Sequence, residues 1–125
     1  HYYNVVGINN VFLGKYKSLD GKVVTGPSIS SLLSEVDYGL NKKTKKSIKN
    51  TLKSMKKIVK SANKGITYDM LIAEGNEKGN KLIQNAVDSL IKQSKNIELA
   101  AAALNINDLQ IEGSDSLDNP DAVFN

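Results

Sequence analysis

Apolar residues recur at helical spacing through most of the chain. Val5, Ile8 and Phe12, widened by Val6 and Leu13, form a first stripe and predict a helix over residues 2–16. That stripe is already under way at the second residue, with no capping side chain before it, so the expectation is a chain truncated upstream. Gly14 stands near its end, and Ser18-Leu19-Asp20-Gly21 predicts a loop. After Gly26-Pro27, Ser28 is placed to cap a short helix with Ile29, Leu32, Leu33 and Val36 on its apolar face, ending near Tyr38-Gly39. Asn41 is the expected cap of the next helix, where Ile48, Leu52, Met55, Val59 and Ala62 keep a heptad-like stripe. It closes at Asn63-Lys64-Gly65, with Gly65 suited to the left-handed turn that follows a helix.

Residues 66–80 interrupt this pattern with a short apolar run and two Gly-Asn pairs, and helix is expected again by Lys81. A broad stripe then runs from Leu82 and Ile83 through Ala86, Val87, Leu90, Ile91, Ile97 and Ala101 to Leu104. Strand-like alternation is confined to Leu109 and Ile111. The expected fold class is therefore all-α, an antiparallel helical bundle. Three long helices and a short one leave an apolar groove beside the helix at 81–104. An upstream part of the same protein, or another copy of the chain, is the expected cover. Residues 1–125 read as one unit, with 106–125 as an acidic, turn-rich tail.

Composition narrows the chemistry. The absence of cysteine excludes disulfides, a thiolate nucleophile and Cys-based metal sites. His1 is the sole histidine, with no carboxylate at metal-motif spacing, so neither a two-histidine zinc site nor a catalytic triad can be built. No catalytic residue, metal ligand or cofactor is expected in this chain. All 17 basic residues are lysine, ten of them between Lys42 and Lys64, whereas Asp108, Glu112, Asp115, Asp118 and Asp121 crowd the end. A lysine cluster can grip phosphates of nucleic acid or anionic lipid headgroups, but the lack of arginine, and of aromatics over 39–67, removes the usual means of reading or stacking bases. No nucleic-acid partner is expected, and a solvated helix face is the favoured reading. The tail lacks the 12-residue calcium-loop spacing and suits turns better. Glu74, Asn76, Glu77 and Asn80 stand among glycines whose freedom permits close approach of a ligand, or tight helix packing.

Four stretches resemble imelysin-type proteins, peptidase family M75. They are Tyr2-Tyr3-Asn4 with Gly7-Ile8-Asn9-Asn10-Val11-Phe12-Leu13-Gly14 and Tyr16, then Gly26-Pro27-Ser28-Ile29-Ser30-Ser31-Leu32-Leu33. The third is Tyr68-Asp69-Met70-Leu71-Ile72 with Glu74-Gly75-Asn76 and Gly79-Asn80, and the last is Glu112-Gly113-Ser114-Asp115-Ser116-Leu117-Asp118-Asn119-Pro120. The resemblance places the chain in the C-terminal part of such a protein. It implies two helical bundle-like halves, a periplasmic or membrane-associated bacterial location, and a role in iron uptake. The family's Gly-x-His-x-x-Glu signature is absent here, and Phe12 stands where the family commonly has tyrosine. The implied function is non-catalytic, with iron or haem handled by the intact protein at a site between the halves. Asn10, Tyr16, Ser28, Ser30, Asn76 and Asn80 are the candidate binding residues, as polar members of the resembling motifs. A metallopeptidase with its metal ligands upstream is the alternative. Membrane association through the intact protein is a further expectation.

Overall fold

A computed structural model describes residues 1–106. Helix α1, Tyr2–Leu13, stops three residues before the expected limit because Gly14 adopts the left-handed conformation, φ 57°, and turns the chain. Lys15–Lys17 (β1) then pairs antiparallel with Val23–Thr25 (β2), Tyr16 opposite Val24. Tyr16 is thus on a strand and not on a helix, and residues 15–25 form a hairpin where only a loop was expected. All six strand residues are exposed, so no burial alternation marked them in the sequence. At the hairpin turn Asp20 accepts from the Ser18 hydroxyl and pairs with the Lys22 ammonium at 3.3 Å.

Helix α2, Ile29–Val36, begins with the expected Ser28 cap. The Ser31 amide donates to Ser28 Oγ at 3.0 Å, and the Ser28 amide donates back to Ser31 Oγ at 3.3 Å. It ends at Val36, sooner than expected, because Asp37 both closes α2 and caps α3, Tyr38–Ala62. The Leu40 amide donates to Asp37 Oδ1 at 2.8 Å. Asn41 is therefore not a cap. It lies inside α3, buried, where it accepts from the Ser30 hydroxyl at 2.9 Å. Gly65 takes the expected positive φ, 82°, after α3. A short helix, α4 (Tyr68–Ile72), follows, and α5 runs over Glu77–Ala103, starting four residues before the expected Lys81. The acidic tail and the Leu109–Ile111 piece lie outside the described residues.

The described chain is helical apart from its one small sheet, and α3 is its axis. Helix α5 lies antiparallel along α3: Thr51 Oγ1 donates to the Ser89 carbonyl at 3.1 Å, and Thr44 Oγ1 reaches the Asn96 carbonyl at 3.4 Å. On the other side α1 also runs antiparallel to α3, since Phe12 packs with Ile48 and Val5 with Met55. Leu33 of α2 and Ala100 of α5 complete the first of these clusters, and Ala86 of α5 the second. From the expected stripe of α5, Ala86 and Ala101 are buried while Val87 and Ile91 stay exposed. Ala62, the last member of the α3 stripe, is also exposed.

Two glycines separate backbone need from propensity. A Cβ on Gly14 would stand 2.6 Å from the Pro27 carbonyl oxygen and 2.7 Å from that of Gly26, at positive φ. Gly7, in α1, has open space around it. Gly14→Ala should destabilise the protein by about 2 kcal/mol or more, and Gly7→Ala should stabilise it by roughly 0.5–1 kcal/mol. Urea unfolding of the two variants checks the opposite signs. The hairpin gives a second expectation. The Ser18 hydroxyl first, and then Lys22, hold the exposed Asp20 carboxyl below its ordinary value. Its contribution is present above about pH 4 and is lost as the pH falls through that lowered value. An NMR titration of Asp20, with Ser18→Ala as the control that raises its midpoint, checks it.

Candidate functional site

The six candidate residues fall into two groups at opposite ends of the molecule. At one end α1 meets the hairpin, and Asn10 and Tyr16 line a shallow depression of about 320 Å³ with Gly14, Lys15, Val24 and Thr25. Tyr16 is about half exposed. Ser28 lies beside this depression, its Cβ near Gly14, but its hydroxyl is engaged in the α2 cap. Ser30, two residues further, is buried, and its hydroxyl is held by Asn41. The sequence could show these serines as polar members of a motif. It could not show that one is solvent-facing and the other interior.

Asn76 and Asn80 stand at the far end of α5, about 35 Å along the helix from Ala100 at 1.5 Å per residue. Asn76 Oδ1 accepts from the Gly79 amide at 2.9 Å, and its Nδ2 donates to the Met70 carbonyl at 2.7 Å. Asn80 Nδ2 donates to the carbonyls of Ala73, at 3.0 Å, and Asn76, at 2.8 Å. These carboxamides lace α4 to the first turn of α5. Gly79 is what permits it: a Cβ there would collide with the Leu71 carbonyl oxygen and stand 2.6 Å from Asn76 Nδ2. Of the two readings of the Gly-Asn pairs, tight packing is the one this geometry satisfies.

A larger concavity adjoins the first group. Helices α1, α2 and α5 enclose a groove of about 470 Å³, walled by Ile8, Val11, Ile29, Ile97, Leu104 and Ile106. Every one of its walls is apolar, so it can take a hydrocarbon surface but offers no proton donor or acceptor side chain. Stripe periodicity pointed to a groove along this helix, but not to its position. Its position depends on where α2 crosses, and a one-residue joint at Asp37 sets that. Elsewhere, hydroxyl–carboxylate pairs among the described residues are Ser18 with Asp20 and Thr67 with Asp69, both exposed turn contacts. Among the described residues no three His, Cys, Asp or Glu side chains converge.

The comparisons bear on this arrangement directly. A family model described as imelysin, peptidase M75, matches residues 1–97, from α1 into the last third of α5. The matched span takes in three of the four resembling motifs and stops short of the one at residues 112–120. No curated protein matches the chain.

Replacing Asn76 separates its structural work from any ligand role. Asn76→Ala removes the α5 cap and the tie to Met70, and should cost about 1–2 kcal/mol. Asn76→Asp keeps the cap acceptor and should recover roughly half of that loss. Thermal unfolding followed by circular dichroism measures both.

Proposed function

The chain belongs to the imelysin family, and from that premise we propose that it is a non-catalytic, ligand-handling component of bacterial iron acquisition, acting in the periplasm or at a cell membrane. In this reading the chain is the C-terminal part of the intact protein and forms one wall of a site between two halves. The observation that carries the proposal is the corner where α1, the hairpin and α2 meet. There Asn10 and Tyr16 line a mainly apolar depression that lies next to an apolar groove of about 470 Å³. An apolar slot with a few polar side chains at its edge suits a ligand with an apolar body and polar edge, such as haem, and the Tyr16 phenol is an oxygen donor of the kind iron accepts.

The candidate groups themselves support binding over catalysis. Carboxamides, hydroxyls and a phenol recognise a ligand by hydrogen bonding. A metallopeptidase, which the family description also suggests, needs about three metal ligands and a general base. The residues of this chain do not fit that set, with His1 its sole histidine. That activity would have to rest on other parts of the intact protein.

Titration of the intact protein with ferric iron and with haem, followed by absorbance, tests the reading. Binding that weakens tenfold or more in Tyr16→Phe or Asn10→Ala supports it, together with poor iron-limited growth of a deletion strain. Absence of binding together with normal growth would overturn it. Chelator-sensitive proteolysis by the intact protein would establish the enzyme reading in its place.

A further inference from the structure

Helix α3 carries nine lysines over its 25 residues and no aspartate or glutamate. Lys42, Lys46, Lys49, Lys53, Lys56 and Lys60 recur at intervals of three or four, so they form one continuous row along a helix about 37 Å long. All nine lysines are exposed, whereas the opposite face, Thr44, Ser47, Ile48, Thr51 and Met55, is buried against α1 and α5. The core therefore fixes the direction in which the row points. The one ion pair among the described residues joins Lys22 to Asp20, away from α3. A face that needed only hydration would be served equally well by mixed charge, and like charges one turn apart weaken a helix.

We infer that the lysine row of α3 is a docking surface for an anionic phospholipid bilayer, on which the protein adsorbs with α3 lying along the membrane plane. The proposal stands apart from the iron-handling reading and does not depend on it. Several observations select lipid over nucleic acid. The row is straight and made of lysine alone, point charges that suit mobile headgroups, and the chain has no arginine to grip phosphates in bidentate fashion. No aromatic lies between residues 39 and 67 to stack a base. Adsorption is electrostatic and shallow, because the apolar side of α3 is spent inside the bundle. No helix among the described residues is long and apolar enough to cross a membrane.

The test is co-sedimentation of the full chain with vesicles, comparing pure phosphatidylcholine with an equal mixture of phosphatidylcholine and phosphatidylglycerol. Binding should need the anionic lipid and should vanish toward 1 M salt, where screening acts within about 3 Å. The combined variant Lys46→Gln, Lys49→Gln, Lys53→Gln and Lys56→Gln should bind about 100-fold or more weakly, at roughly fivefold per lysine. Glutamine keeps helix propensity close to that of lysine, so the circular dichroism spectrum should be unchanged. Removing the same charge from α5 through Lys78→Gln, Lys81→Gln, Lys92→Gln and Lys95→Gln should weaken binding less than tenfold. Equal binding to neutral vesicles, salt-insensitive binding, or an α5 variant as impaired as the α3 variant would each overturn the proposal. So would tighter binding to duplex or single-stranded DNA than to the anionic vesicles at the same salt. Lipid and salt dependence of the unaltered chain decide the matter even if a variant fails to fold.

Discussion

The contact between α3 and α5 holds the two longest helices together with small and polar side chains. Thr44, Ser47 and Thr51 on α3 are buried, and so is Gln93 on α5. Short side chains let the two backbones come close, and close backbones bring carbonyls within reach. Thr51 serves both its own helix, through the Ser47 carbonyl at 3.1 Å, and its neighbour, through that of Ser89 at the same distance. Each buried hydroxyl thus escapes the penalty of an unmet hydrogen bond. The other elements then take their positions from α3. Helix α1 lies on its free apolar flank, α2 crosses one end, and the lysine row occupies what remains.

The helical character was legible because a period near 3.6 survives over many residues, and averaging over a long stripe suppresses single exceptions. The Ser28 cap and the Gly65 turn were equally readable, each resting on local chemistry. The misreadings have separate causes. Asn41 has the chemistry of a cap, but Asp37 took that role, and Ser30 across the joint supplied Asn41 with a partner inside. The hairpin was hidden because its strands are three residues long and exposed throughout. At the start of α5, Gly-Asn-Glu-Lys-Gly-Asn reads as helix-breaking. Asn76 caps and Gly79 fits against Leu71, so tertiary packing outweighed the weak propensity of these residues.

The candidate site was legible only in part for a related reason. Resemblance selects residues that a family keeps, and a fold keeps residues for caps and close contacts as firmly as for ligands. Ser28, Ser30, Asn76 and Asn80 all have identified structural partners, which leaves Asn10 and Tyr16 as the candidates that line the depression. That distinction needs three dimensions. Spacing along the chain cannot tell a carboxamide that bonds a carbonyl six residues away from one that waits for a ligand.

The joint between α2 and α3 is a single residue, Asp37, and it carries a consequence for how this fold can vary. A longer connection would absorb an inserted residue as slack. Here one insertion turns α3 by about 100° relative to α2, which swings Asn41 away from Ser30 and Ile48 away from Leu33. The wall of the groove that contains Ile29 would move with it. Length changes at this position are therefore changes of shape, and the dimensions of the groove are stored in the residue count of the chain as firmly as in the side chains that line it.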